Sequence, residues 1–268
     1  MSLVACVPYR AAPERANPPP TRDTGATTAP IPLPGPLTIV DEGPAPPLPP
    51  DLADAVDALW AAELAQRPHA FDGPLFSVTR NDGTVIAGQW TTYRRFMARR
   101  RQPALADALG VRPLAVTGVL RCRDGIVLGR RGDGVTQAAG AFELAPAGGI
   151  AAESVGPDGR IDPVLQALAE LTEEVGLGPS AIAAAEPLGL AEDPETGVTD
   201  IIVGLWTPAR FSEIALIHAQ ATSAEYATLA LVPPDGAEAF LAFPPGAVDR
   251  LSAALLRCRW VWDAVPPA

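Results

Sequence analysis

The chain has 268 residues, 48% of them hydrophobic, and a formal net charge of −11 at pH 7. That length allows one or two domains with a real core, and the acidic balance argues against general nucleic-acid binding. No run of about eighteen apolar residues occurs, which argues against a membrane-spanning helix, and MSLVACVPYRAAPER lacks the apolar stretch of a signal peptide.

Residues 1–50 hold 14 of the 31 prolines, in PPP, PIPLPGP and PAPPLPP runs. Such a segment is expected to be an extended tail, partly draped over a domain. Residues 51–67 predict a helix capped by Asp51, with Val56, Leu59, Trp60 and Leu64 on its apolar face. Leu75 to Val78 predicts a strand that turns at Asp82-Gly83 and returns through Thr84-Val85-Ile86. Residues 91–109 predict a second helix carrying Arg94, Arg95, Arg99, Arg100 and Arg101, expected to be mainly a solvated face. Together 51–112 read as a small α/β subdomain.

From 113 the pattern changes. Leu114 to Leu120 predicts a strand, Asp124-Gly125 a hairpin turn, Ile126 to Leu128 the return, and Ala141 to Ala145 a further strand. After a helix over 163–175, strands are expected at Leu188 to Leu190, Ile201 to Trp206 and Tyr226 to Val232. A helix is expected at about 246–257. His69 and His218 are the only histidines and have no evident triad partners, so both read as structural. Cys6, Cys122 and Cys258 are odd in number and far apart, which suggests neither a disulfide framework nor a zinc site and suits a reducing cytoplasm. All twenty basic residues are arginine. The absence of lysine excludes Schiff-base chemistry and a Walker-type phosphate lysine, so any basic phosphate contact must come from arginine.

The stretch with the most chemistry is PAGGIAAESVGPDGRIDPVLQALAELTEEVGL, residues 146–177. Asp162 is a good N-cap, Pro163 suits the first helical position, and Gly176 sits where a left-handed residue ends a helix. Val164, Leu168, Leu171 and Val175 form an apolar stripe. Glu170, Glu173 and Glu174 fall at i, i+3 and i+4 on another face, where like charges repel unless a cation neutralises them. Oxygen-only donors suit Mg²⁺ or Mn²⁺.

This stretch resembles the Nudix box: G, five residues, E, seven residues, then R-E-U-x-E-E-x-G-U with U aliphatic. Its second half matches from Glu170 to Leu177, except that Ala169 stands where arginine is expected. The first half is longer than the family pattern by roughly six residues, around Gly156-Pro157-Asp158-Gly159, and Glu153 is the nearest counterpart of its first glutamate. The resemblance implies a Nudix α/β/α sandwich with a mixed sheet over 113–268, after the 51–112 subdomain and the tail. It implies metal-dependent cleavage of a nucleoside diphosphate linked to another group. Glu170, Glu173, Glu174 and Glu153 are the expected metal ligands, and Glu173 and Glu174 the catalytic carboxylates. Arg131, Gly148, Gly149 and Asp200 are expected at the substrate, with Glu192 and Asp193 as further acidic candidates.

Residues 67–76 and the lengthened box are similar to the branch that hydrolyses UDP-glucose or UDP-galactose to UMP and a sugar 1-phosphate. The stretch Glu143-Leu144-Ala145-Pro146-Ala147-Gly148 is similar to ADP-ribose pyrophosphatases, which makes ADP-ribose the competing substrate. Two other classes stay open: a catalytically silent ligand-sensing module, favoured by Ala169, and a scaffold presenting the proline-rich tail. The expected partner is a small nucleoside diphosphate derivative, without nucleic acid or membrane, and a homodimer is left open.

Overall fold

The computed structural model describes residues 29–132, 139–156, 160–221 and 225–263. The first 28 residues of the proline-rich segment, with Cys6, lie outside the described residues, as do positions 157–159 of the expected insertion.

The segment expected to be tail is structured in its second half. Ile31–Pro32 (β1) adds an antiparallel strand to the main sheet, and Thr38–Pro44 (β2) enters a smaller one. Pro50–Gln66 (α1) follows, then Pro74–Asn81 (β3) and Val85–Thr92 (β4). The small sheet has the order β2-β4-β3, with β2 parallel to β4 and β3 antiparallel to it. Its hairpin turns where expected: Asp82 Oδ1 accepts from the Thr84 and Val85 N–H groups (3.0 and 2.7 Å), and Gly83 takes φ +91°. Helix α1 starts at Pro50 without a side-chain cap, so Asp51 is a first-turn charge rather than the cap. The helix expected over 91–109 is broken into Tyr93–Arg101 (α2), a 3₁₀ turn at Pro103–Leu105 and Ala106–Leu109 (α3). Gln102 precedes proline and leaves the helical region at φ −134°, as the steric demand of Pro103 requires. Val56, Phe96, Ala98, Leu109 and Val111 form the core of this unit.

The larger sheet contains Leu114–Cys122 (β5), Gly125–Arg131 (β6), Phe142–Leu144 (β7), Ala147–Gly149 (β8), Ala184–Glu192 (β9), Thr199–Trp206 (β10) and Tyr226–Val232 (β11). Its main path is β1-β9-β10-β5-β6-β11; β10 and β5 are parallel and the other neighbours antiparallel. One flank of β5 is shared. Ala115 to Thr117 pair with β8, whereas Arg121 and Cys122 pair with β6, and β6 turns its other residues to β7. The sheet therefore forks beside the first half of β5, and the Gly148-Gly149 segment is part of a strand in the fork.

Helices cover both faces. Pro163–Glu170 (α4) and Phe211–Gln220 (α5) lie on one; Ala237–Ala242 (α6), Arg250–Leu256 (α7) and Arg259–Asp263 (α8) lie on the other. Alternate strand residues divide between the two cores, as period-2 geometry demands. Val116, Leu120, Ile201 and Val203 meet Ala167, Leu171, Val175 and Ile214, while Val119 and Ile202 meet Leu255, Leu256 and Val261. Each such fully buried aliphatic side chain contributes roughly 1.5–3 kcal/mol. The result is the expected mixed sheet between two helical layers, preceded by a small α/β unit. Among the described residues no helix is long and apolar enough to cross a membrane.

Candidate metal and catalytic site

The glutamate helix starts as its sequence dictates. Asp162 Oδ1 accepts from the Val164 N–H (2.8 Å), and Pro163 occupies the first turn. Leu171 and Val175 are fully buried, with Val164 and Leu168 partly buried beside them. Past Glu170 the helix widens into a π turn over Leu171–Val175, with the Gly176 N–H bonded back to the Leu171 carbonyl. Gly176 closes it at φ +81°. Regular α periodicity does not reveal this turn, and π turns recur at functional sites.

The turn separates the three glutamates. Glu174 is buried, 2% exposed, and its Oε2 accepts from the Ala147 N–H of β8 (2.9 Å). Glu170 lies over Gly148, where a Cβ would overlap its Oε1, and receives a hydrogen bond from Gln166 Nε2 (2.7 Å). Glu173 is exposed. Glu170 and Glu174 are both turned onto the backbone of β8. Burial pushes the Glu174 carboxyl up to about 8, with Glu170, Glu225 and Glu143 adding to the shift and the Ala147 N–H opposing it. Burial likewise pushes Glu170 up to about 7, against the Gln166 hydrogen bond and with help from Glu173 and Glu225.

A second group of side chains borders this pair. Arg131 spans Glu143 (2.5 Å) and Glu225 (2.8 Å), and the Tyr226 hydroxyl donates to Glu143 Oε1 (3.1 Å) while also facing Glu174. Gly129 makes room for the Tyr226 ring, which a Cβ there would overlap. Burial raises the Glu143 carboxyl, Arg131 opposing it. Two carboxylates, Glu143 and Glu225, engage the guanidinium of Arg131, the residue expected at the substrate. Glu225 carries no motif that marks it in the sequence. Tyr226 had one signal, a glycine inside strand β6 that marks close approach.

Other expected residues lie apart from the pair. Glu153 is exposed on a 3₁₀ turn, Ala152–Ser154, and no contact joins it to Glu170 or Glu174. Asp200 accepts from Thr117 Oγ1 (2.9 Å), on the sheet face opposite α4, and burial pushes its carboxyl up to about 7. Glu192 accepts from Asn81 Nδ2, and Asp193 Oδ1 from the Glu195 N–H within its own turn. Gly149 is exposed, with open space where a Cβ would stand. His218 is buried with Nε2 on the Tyr226 carbonyl (3.0 Å), and His69 is exposed. Ala169 is exposed too; Gln166 and the Ala147 N–H orient the glutamates in the absence of an arginine there. Among the described residues no three His, Cys, Asp or Glu side chains converge as a ready metal cluster. Of the four expected glutamate ligands, Glu170 and Glu174 stand together on β8, Glu173 is exposed on the same π turn, and Glu153 sits on a separate 3₁₀ turn. Two carboxylates still fit Mg²⁺, which commonly binds through one or two of them and fills its shell with water and substrate phosphate.

No family model matches the chain, and no curated protein matches it. Among solved structures, it is similar to a Deinococcus radiodurans protein at 16% identity over 69% of this chain and 97% of that one, with a TM-score of 0.44. It is similar to a Nudix-family hydrolase from Clostridium perfringens at 12% identity, over 57% and 97% of the two chains, TM-score 0.35. It is also similar to the Nudix domain of Shewanella oneidensis NrtR, solved with ADP ribose, at 17% identity over 55% and 86%, TM-score 0.38.

Proposed function

We propose that the chain is a divalent-cation-dependent hydrolase of the Nudix kind, cleaving the diphosphate of a nucleoside diphosphate linked to another group. The observation that carries this reading is the convergence of Glu170 and Glu174 on β8, where Gly148 leaves space for one carboxylate and Ala147 fixes the other. Two acidic groups, Glu174 buried and Glu170 half-buried, with no basic side chain bonded to either among the described residues are a costly arrangement, relieved when a cation joins them. Glu170 and Glu174 would hold Mg²⁺ or Mn²⁺, which supplies charge neutralisation at phosphate oxygens and an acidified water. Gln166 and the Ala147 N–H orient the two carboxylates. Arg131 and Tyr226 hold Glu143 beside Glu174, where it is placed to accept a proton. Glu173, exposed next to the pair, is the second carboxylate available as a base.

Nucleotide sugars are the first substrates to test, UDP-glucose and UDP-galactose before ADP-ribose. The lengthened box supports that order. The 67–76 stretch supports it less, since Asp72 is occupied by the Arg94 N–H and guanidinium at the start of α2 and Phe71 is exposed. Cys122 and Cys258, both free, suit a reducing cytoplasm. The test is release of UMP or AMP from these compounds with and without Mg²⁺ or Mn²⁺. Turnover is expected to need metal and to fall about 100-fold or more in Glu174→Gln. Tight binding of one compound without turnover would overturn the enzyme in favour of a sensor.

A further inference from the structure

The larger sheet ends on β11, whose one strand partner among the described residues is β6. Which of its backbone groups are left over follows from the alternation of an antiparallel ladder. The Arg131 N–H donates to the Ala141 carbonyl and the Gly140 N–H to the Arg131 carbonyl (2.9 and 3.1 Å), so Arg131 turns its peptide groups away from β11. Gly129 and Val127 follow it, and Arg130, Leu128 and Ile126 turn theirs towards β11. Their partners there are Thr228, Ala230 and Val232. Leu229 and Leu231 therefore aim their N–H and C=O groups out of the sheet. Among the described residues the one bond that reaches any of these groups is a long one, from the Thr228 hydroxyl to the Leu229 carbonyl (3.4 Å).

The edge lacks the usual protections against strand pairing. Residues 226–232 include no charge and no proline, the register is regular from Thr228 onward, and Leu229 to Leu231 are half-buried rather than covered. Other outer strands are protected: β1 is two residues long and ends in proline, β2 carries Asp41 and Glu42, and β3 is bridged through Ser77 to Pro113. The open row is also complementary to itself. A two-fold axis at Ala230 sets Leu229 opposite Leu231 of a second copy, and Leu231 opposite Leu229. These outward-facing pairs each exchange two hydrogen bonds. Ala230 then meets its own copy at the close, non-hydrogen-bonded position, where a methyl group leaves room. An axis at Leu229 or Leu231 would instead call on Ala227, at the irregular start of the strand, or on Pro233, which has no N–H. Leu229 and Leu231 border the core on the α4 and α5 face, so the leucine pairs extend that core across the axis.

We propose that β11 pairs antiparallel with β11 of a second copy of this chain about a two-fold axis at Ala230, joining the two larger sheets into one and closing the assembly at a dimer. It does not depend on the hydrolase reading. The test is sedimentation velocity of the full chain from about 1 to 300 µM, the range suited to a contact of this size. The sedimentation coefficient is expected to climb from that of a monomer to that of a dimer and stop there. Leu229→Pro removes one outward donor from each copy and should weaken the dimer about tenfold or more. Should it fail to fold by circular dichroism, Ala230→Lys, which sets like charges on the axis, carries the same reading. The register is read by crosslinking in a Cys6→Ser, Cys258→Ser background, which leaves the buried Cys122. On mild oxidation Ala230→Cys is expected to join copy to copy, and Thr228→Cys, opposite Val232, is not. A monomer at every concentration, growth beyond two copies, a dimer unmoved by the edge variants, or crosslinking of Thr228→Cys as fast as Ala230→Cys overturns the proposal.

Discussion

At the scale of single residues, Gly148 separates a structural from a chemical role most cleanly. A Cβ there overlaps Glu170 Oε1, the free end of a flexible side chain, so the fold accommodates alanine by displacing that carboxylate. Gly148→Ala is therefore expected to lower Mg²⁺ affinity and turnover by about 10- to 100-fold with little change in Tm; a matching loss of stability would mean that the position only packs. Asp200 gives the opposite case. Its carboxyl is pushed from the ordinary 3.8 up to about 7, chiefly by burial. Below about pH 4 both folded and unfolded chains carry the proton. As pH rises from there to about 7 the unfolded chain ionises first, so this group draws stability down and leaves it down above 7. Asp200→Asn, which mimics the protonated form, should raise Tm relative to the parent at pH 8 and converge with it near pH 4. A difference that does not depend on pH would show that Asp200 is not the titrating group.

At the scale of elements, the glutamate helix was legible at both ends and not in the middle. Asp162, Pro163 and Gly176 state their roles in their chemistry, and the apolar stripe faces the core as drawn. Removing the cap in Asp162→Ala is expected to cost about 1 kcal/mol, read from a denaturant midpoint at unchanged slope. The π turn was hidden because an α-helical wheel assumes one period throughout, and on this turn Glu174 is buried while Glu173 is exposed. β8 was hidden for another reason: Ala147-Gly148-Gly149 has no strand propensity, and only the open flank of β5 makes it one. α5 was not anticipated either, since His218 and the exposed Leu216 and Ile217 obscure its apolar face. Arg131 was noticed, but its two carboxylate partners lie 12 and 94 positions away, beyond any local pattern.

At the scale of the whole molecule, the boundary drawn at residue 51 cuts through structure. β2 supplies one edge of the small sheet, and Trp90 Nε1 donates to Asp41 Oδ2 across it (2.8 Å). Deleting residues 1–44 should lower Tm by several degrees and increase binding of a hydrophobic dye, because Ile39 leaves a core that includes Phe76 and Ile86. Unchanged Tm would show that the small sheet needs only its hairpin. The same segment has a consequence for self-association. β1 covers β9, the outer strand of the larger sheet, with Ile31 and Pro32, and Leu33 adds a hydrogen bond to the Leu188 carbonyl. Prolines at 30, 32 and 34 deprive the new outer rim of donors at every second position. A β-rich neighbour arriving there finds a row it cannot extend, so the proline-rich run works as a guard against fibril-like stacking.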